Sequence, residues 1–312
     1  MNATSRLKQS LASGTFTVTA ELGPPRGTDT EIIRKKAAHL KDCVDAVNVT
    51  DNQTSIVRMS SLAVSRLLLE QGIEPVMQMV CRDRNRIAMQ SDILGACALG
   101  IRNLLCLTGD HQCFGNQPGA KNVFDLDSLQ LLYAARMMRD QRTFLGGDKI
   151  EGELPLYLGA ACNPFADPFE FRVVRLKKKI AAGADFIQTQ CVFNIDKFKR
   201  FIHMAREEGL LEKVRILAGV IPLKSLGMAR FMAKSVAGVD IPAGMIKRIR
   251  SKPKEERAQE GIDMCVEQIQ QLREIPGIHG IHLMAIEWEE KVPTILKGAG
   301  LLPRPRAYQA VS

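Results

Sequence analysis

Short runs rich in Val, Ile, Leu and Thr recur along the chain between longer stretches whose apolar positions return every three or four residues. This is the pattern of successive strand–helix units. Eight such runs are present: FTVTAEL from Phe16, AVNVTDN from Ala46, EPVMQMVC from Glu74, NLLCLTGD from Asn103, LYLGAACN from Leu156, FIQTQCVF from Phe186, RILAGVIP from Arg215 and GIHLMAI from Gly280. Several are nearly apolar on both faces, which suits a parallel sheet covered by helices. Several starts lie about 30 residues apart, the length of one strand–helix unit, and the longer gaps from fourth to fifth and from seventh to eighth should hold extra elements. Helix starts are predicted at Thr28 or Asp29, at Asp125 or Asp127 and at Asp196, with Gly209 as a C-cap. Eight parallel strands alternating with helices in 312 residues most simply close into a (β/α)8 TIM barrel of the α/β class, a single domain over residues 1–312. An open doubly wound sheet is the competing architecture, but its nucleotide fingerprints, GxGxxG or a P-loop after a strand, are missing. The tail from Pro303 reads as a loose end.

A barrel gathers its active site at the carboxyl ends of its strands, so the polar residues closing the runs belong together. They are Glu21; Thr50, Asp51 and Asn52; Gln78 with Arg82; Thr108, Gly109 and Asp110; Asn163; Gln188 and Gln190; Lys224 and Ser225; and Glu287. Glu21 and Asp110 would bring two carboxylates from distant segments to one mouth, although Glu21 before LGPPRG is also what a strand end entering a Pro-stiffened turn looks like. In FIQTQCVF, strict alternation puts Phe186, Gln188 and Gln190 on one face. An unpaired buried amide costs roughly 1–3 kcal/mol, so such glutamines need a partner: a polar heterocycle or a neighbouring backbone group. The run RVVRLKKKIAAGAD starts a helix at the mouth, where Arg172, Arg175 and Lys179 either approach a phosphate or face water; taken alone, the residues favour water.

Composition narrows the classes. With 46% hydrophobic and 25% charged residues the chain is globular. No apolar stretch reaches the roughly 18 residues of a membrane span, and MNATSRLKQSLASG is too polar for the centre of a signal peptide, so a cytoplasmic protein without membrane partners is expected. Lys and Arg number 43 against 34 Asp and Glu, a net +9 that suits anionic ligands; 5% aromatics and the lack of any finger or zipper motif argue against nucleic acid. Eight cysteines without a CxxC pair read as reduced, mostly buried thiols rather than zinc or iron–sulfur ligands, and no metal site is expected. The histidines His39, His111, His203, His279 and His282 lack metal-ligand spacing, and only His111 is expected near the mouth.

Together, AELGPPRG around Glu21, CLTGD ending at Asp110, KKKIAAGADFIQTQ through Gln190 and AGVIPLKS after the seventh run resemble the methylenetetrahydrofolate reductase family, from Thr17 to Leu302. The resemblance implies a flavin-containing barrel, with FAD as cofactor and FMN as the alternative, that reduces 5,10-methylenetetrahydrofolate to 5-methyltetrahydrofolate. It implies that Glu21 is the general acid that helps the methylene bridge open to an iminium, for which its carboxyl must be protonated and therefore buried among apolar groups. Asp110 would stabilise the cation, and Gln190, with Asp110 and Leu226, would contact the folate. Thr50, Asp51, Gln53, Gln78, Thr108, Gly109 and Asp110 would surround the flavin ring and ribityl chain, and Arg172, Arg175, Lys178 and Lys179 its phosphates, which turns the basic run from water towards a ligand. The chain departs from many relatives in three places: TDNQTS replaces a glycine-rich turn, Gln78 a histidine and Leu226 a phenylalanine. These changes lie around the flavin and its reductant, which leaves the donor open between NAD(P)H and an electron-donating partner subunit carrying iron–sulfur clusters, within an oligomer. The alternative function is a non-redox folate- or corrinoid-binding barrel serving as a scaffold subunit. An aldolase-like barrel is weaker, since no lysine clearly ends an inner strand.

Overall fold

Each of the eight apolar runs forms a strand in the computed structural model, which describes residues 4–305. The strands are β1 (Thr17–Leu22), β2 (Ala46–Val49), β3 (Pro75–Val80), β4 (Asn103–Leu107), β5 (Tyr157–Cys162), β6 (Phe186–Cys191), β7 (Arg215–Val220) and β8 (Gly280–Leu283). All are parallel, and they pair in chain order into a closed barrel in which β8 bonds to both β7 and β1. The expected barrel is the observed one. Residues 306–312, most of the tail read as loose, lie outside the described part.

The helices are α1 (Arg6–Ala12), α2 (Thr30–Leu40), α3 (Ser61–Glu70), α4 (Arg86–Ala98), α5 (Ser128–Asp140), α6 (Phe171–Ala182), α7 (Ile195–Glu207), α8 (Leu226–Ser235), α9 (Ala243–Ser251), α10 (Arg257–Arg273) and α11 (Val292–Gly298). Asp29 caps α2, and Asp127 with Gln130 forms a capping box at α5. The cap of α7 is Asn194, whose side chain accepts from the Lys197 N–H; Asp196 sits in the first turn instead, where its charge suits the helix dipole. The two long gaps do hold additional structure. A loop over residues 108–127 precedes α5, and α9 is an extra helix between β7 and β8. Among the described residues no helix is long and apolar enough to cross a membrane.

The floor of the barrel is sealed by α1, an element the sequence did not announce. Its Leu7 and Leu11 pack into a cluster with Ala46, Val76, Leu105, Tyr157, Phe186 and Leu217, near the amino ends of six strands. Phe186 fills the interior so completely that a β-carbon at Gly159 would fall 2.2 Å from its ring. Polar groups at this end are paired. The Arg6 N–H and Asn103 Nδ2 donate to Glu74 Oε1 at 3.0 and 2.8 Å, Ser5 bonds to Asn103, and Ser10 and Thr17 share a 2.9 Å hydrogen bond. Above this floor lies a polar layer, where the amides of Asn48 and Gln188 exchange two hydrogen bonds of 2.6 and 3.0 Å.

Candidate active site

The carboxyl ends of the strands surround a cavity of about 350 Å³. On its β1–β8 side, alternation along β1 turns Thr19 and Glu21 inward, and the register sets Thr19 opposite His282 of β8. His282 is buried, its Nδ1 lies 3.0 Å from Thr19 Oγ1, and its Nε2 lies 3.8 Å from Glu21 Oε2. The three side chains form a line from the barrel interior to the cavity. Glu21 does not have the apolar surround expected of it: it shares the cavity with His282, Gln188 and Gln190.

On the β6 side a bulge between Gln188 and Cys191 breaks strict alternation, so Thr189 reaches the cavity wall as well as Gln188 and Gln190. The amide of Gln188 is satisfied within the protein by Asn48 and Thr19. Gln190 turns its Oε1 back to the Cys191 N–H at 3.0 Å, and its Nε2 has no partner among the described residues.

The third side carries positive charge. Arg175 and Lys179, one helical turn apart on α6, line the cavity, and Lys179 Nζ donates to the Ala161 carbonyl oxygen. Burial, and then the neighbouring Arg175 and Arg172, hold the Lys179 ammonium below the ordinary lysine range, while the Cys162 thiol acts in the opposite sense. Among the described residues none of Arg172, Arg175 and Lys179 is in an ion pair. Arg172 stands at the start of the same helix, donating from Nε to the Pro168 carbonyl at 3.2 Å, outside the cavity wall. Lys178 faces solvent from another face of α6.

Of the remaining residues read as a flavin site, Gln78 and Thr108 line the cavity, and Thr108 Oγ1 accepts from the Ser128 N–H at 3.2 Å. Others form the frame behind it. Thr50 is buried and donates to Gln53. Asp51 is closed off from solvent, accepting from the Val80 N–H at 2.9 Å and from Arg84 at 2.7 and 3.3 Å. The turn after β2 holds three non-glycine residues at positive φ, Asn52 (43°), Thr54 (57°) and Ser55 (57°). It is stapled by buried Arg82, which donates to Ser55 Oγ at 2.9 Å, the Asn52 carbonyl at 3.2 Å and the Asp110 carbonyl at 3.1 Å. Gly109 has φ 91° and a β-carbon there would meet Val80 at 3.0 Å, so this turn requires glycine. The Asp110 side chain is exposed at the rim. Leu226 starts α8 and packs half-buried on a separate apolar cluster with Phe193 and Leu223, away from the cavity wall.

Three strand-end readings change. Ser225 caps α8, and Lys224 donates to the Glu287 carbonyl at 2.9 Å with its ammonium 5.5 Å from the Trp288 ring centroid. Glu287 lies beyond β8 at φ 49° and pairs with Lys36 at 2.7 Å. Conversely His282, outside the expected set, lines the cavity. Its signal was the alternation Ile281, His282, Leu283 within the last run, which turns the histidine inward when both neighbours face the helices. His111, the histidine expected near the mouth, is exposed and caps a short 3₁₀ turn. The eight cysteines are free thiols, five of them buried.

A family model described as methylenetetrahydrofolate reductase matches residues 6–300. The chain belongs to the methylenetetrahydrofolate reductase family. A probable methylenetetrahydrofolate reductase (NADPH) of Caenorhabditis elegans is 27% identical over 258 residues, covering 80% of this chain and 36% of that protein. The 5,10-methylenetetrahydrofolate reductase of Pectobacterium carotovorum subsp. carotovorum is 25% identical over 251 residues, 78% of this chain and 77% of that protein. The chain spans 36–41% of the length of the worm protein and three yeast relatives in the family. Among solved structures, an uncharacterized protein from Clostridium thermocellum that binds two copies of 5-methyl-5,6,7,8-tetrahydrofolic acid superposes with a TM-score of 0.65 at 15% identity, covering 95% of this chain and 99% of that one. A 2,3-dimethylmalate lyase follows at 0.52 and 12%, covering 99% of this chain and 93% of that one. At these identities the likeness is one of fold.

Proposed function

We propose that this chain reduces 5,10-methylenetetrahydrofolate to 5-methyltetrahydrofolate in the cavity at the strand carboxyl ends, as a single-domain cytoplasmic flavoprotein. The observation that carries the reading is the meeting, in one cavity of a family member, of a carboxyl backed by a histidine with two cations that have no carboxylate partner among the described residues. The residues present fit a flavin: Arg175 and Lys179 suit its phosphates, with Arg172 and Lys178 beside them on α6, and Gln78 and Thr108 suit its polar ring edge. When bound, the flavin supplies the hydride. Thr50, Asp51, Gln53 and Gly109 act indirectly, by fixing the two turns that frame the cavity.

Within this reading Glu21 gives the proton that eases departure of the folate nitrogen from the methylene bridge, and His282, held by Thr19, supplies the next proton to Glu21. Gln190 offers its unpartnered amide N–H to the pterin. Asp110, from the rim, adds negative charge opposite the developing cation, and Leu226 acts on folate or donor through the packing under the mouth. FAD is the proposed flavin, and the electrons come from NAD(P)H or from an iron–sulfur partner subunit in a larger oligomer.

The deciding experiment is the visible spectrum of the purified protein, followed anaerobically through addition of NADH or NADPH, then a chemical reductant, then methylenetetrahydrofolate. A bound flavin reoxidised by the folate is the expected result, and extraction of FMN instead of FAD would correct the cofactor. Bleaching by the chemical reductant alone assigns the electrons to a partner. Colourless protein that cannot be reconstituted would overturn the reading in favour of the scaffold barrel. Glu21→Gln should keep the flavin and slow folate reduction about 10²- to 10⁴-fold, the usual worth of a general acid; undiminished turnover would remove Glu21 from its role.

A further inference from the structure

The connection between α8 and α9 belongs to the extra structure of the β7–β8 gap, yet it reaches the mouth. Gly238, at φ 75°, lies so close to Asn163 that a β-carbon at 238 would fall 1.6 Å from Asn163 Nδ2 and 2.4 Å from its Cγ. The connection is fastened next to this contact. Asp240 accepts from Asn194 Nδ2 at 3.2 Å and pairs with Lys197 at 3.4 Å, and Lys197 also donates to the Phe165 carbonyl at 3.3 Å. Val236, Val239 and Ile241 pack in one apolar cluster with Cys191 and Phe193, and Met284, itself part of the cavity wall, packs against the same cluster.

Asn163 follows β5 and lines the cavity. Its Oδ1 accepts from the Phe165 N–H at 3.1 Å, which fixes the orientation of the amide. Its Nδ2 has no hydrogen-bond partner among the described residues. An oriented amide donor kept unpaired at a cavity wall is what recognition of a carbonyl oxygen or ring nitrogen requires.

We infer that Asn163 donates to such an acceptor on a heterocycle bound in the cavity, and that Gly238 is the positioning residue that sets where this donor sits. The inference rests on the proposed function for the identity of the ring, flavin or pterin, both of which carry amide-like edges. Because Asp240 and Ile241 hold the strap, a side chain added at 238 displaces the Asn163 amide rather than the strap.

The test titrates wild-type protein, Asn163→Ala, Asn163→Asp, Gly238→Ala and the Asn163→Ala/Gly238→Ala double variant separately with FAD and with 5-methyltetrahydrofolate, alongside thermal unfolding of each. Asn163→Ala should weaken one of the two ligands about three- to tenfold, the worth of one hydrogen bond, and leave the other within about twofold, which tells flavin from pterin. Asn163→Asp, which offers an acceptor in place of the donor, should weaken the same ligand further. Gly238→Ala should weaken that ligand too, and the double variant should be no weaker than Asn163→Ala, since the shared donor is already gone. Additive losses in the double variant, or a lower Tm for Gly238→Ala with unchanged affinity, would overturn the positioning role. Unchanged affinities in both Asn163 variants would overturn the donor role while the functional reading stands. Wild-type protein that binds neither ligand would overturn that reading itself, and this inference with it.

Discussion

Below the Asn48–Gln188 layer, Ser5, Arg6, Glu74 and Asn103 bond to one another around α1, and the space between strands is filled by Leu7, Leu11, Tyr157 and Phe186. Above it, among the described residues, Arg175 and Lys179 have no carboxylate partner, and the Gln190 and Asn163 amides each keep a donor unused at the cavity wall. Polar groups thus meet opposite circumstances a few strand residues apart: paired within the chain at the floor, part-exposed along the cavity at the mouth. Desolvation is offset at the floor by partners within the chain, whereas at the mouth the groups stay open along the cavity, where the proposed ligands would meet them. Stability belongs to the first end, and the proposed recognition to the second.

Breaking the floor should give the largest effect. Leu7→Ala removes a fully buried side chain from the plug and should cost about 2–5 kcal/mol in denaturant unfolding while the folded fraction binds flavin normally. Weaker flavin binding in that variant would mean the two ends are coupled. At the mouth, Lys179→Met should weaken flavin binding about ten- to a hundredfold, the worth of a charge-assisted contact. The same variant should be more stable than wild type at neutral pH without ligand, since burial disfavours the ammonium it removes. Lys179 is held below its ordinary value, so between that lowered value and the unfolded value of about 10.4 the unfolded chain holds more protons; wild-type stability should therefore rise with pH across that window, and the methionine variant should lose the rise. Ser5→Ala is the smallest perturbation. It should cost about 1 kcal/mol by removing the α1 cap and the bond to Asn103, with no change in either ligand's affinity.

The eight strands were legible because each is a nearly continuous apolar run between turn residues, a signal strong enough to survive the bulge in β6. The plug was not, because RLKQSLA is only seven residues long with four polar side chains, and its Leu7 and Leu11 become core only once the barrel exists to receive them. In the site, Glu21, Gln78, Thr108 and Gln190 could be read from strand ends, whereas Arg175 and Lys179, which the residues alone turned towards water, were drawn to the mouth only by the family resemblance. Lys224 and Glu287 misled because a polar residue closing an apolar run is as able to bond backbone or a neighbouring charge as to face the cavity. The Asp51 carboxylate is held within the protein by Arg84 and the Val80 N–H, a pairing that no local pattern announces. The reach of Gly238 to Asn163 spans 75 positions and leaves no trace in local pattern.

The closure of the barrel by β8 has a consequence for how the protein is made. Its pairing partner Thr17 precedes Gly280 by most of the chain, and until β8 emerges the nascent protein carries two strand edges, on β1 and β7, with unpaired N–H and C=O groups. Exposed edges of this kind invite pairing with other chains, and contacts so distant in sequence form late. His282 arrives on that same closing strand, so the pair it makes with Glu21 exists in no truncated or half-closed form. The ribosome delivers this histidine only when the barrel can shut around it, so the Glu21–His282 pair and the closed barrel form together.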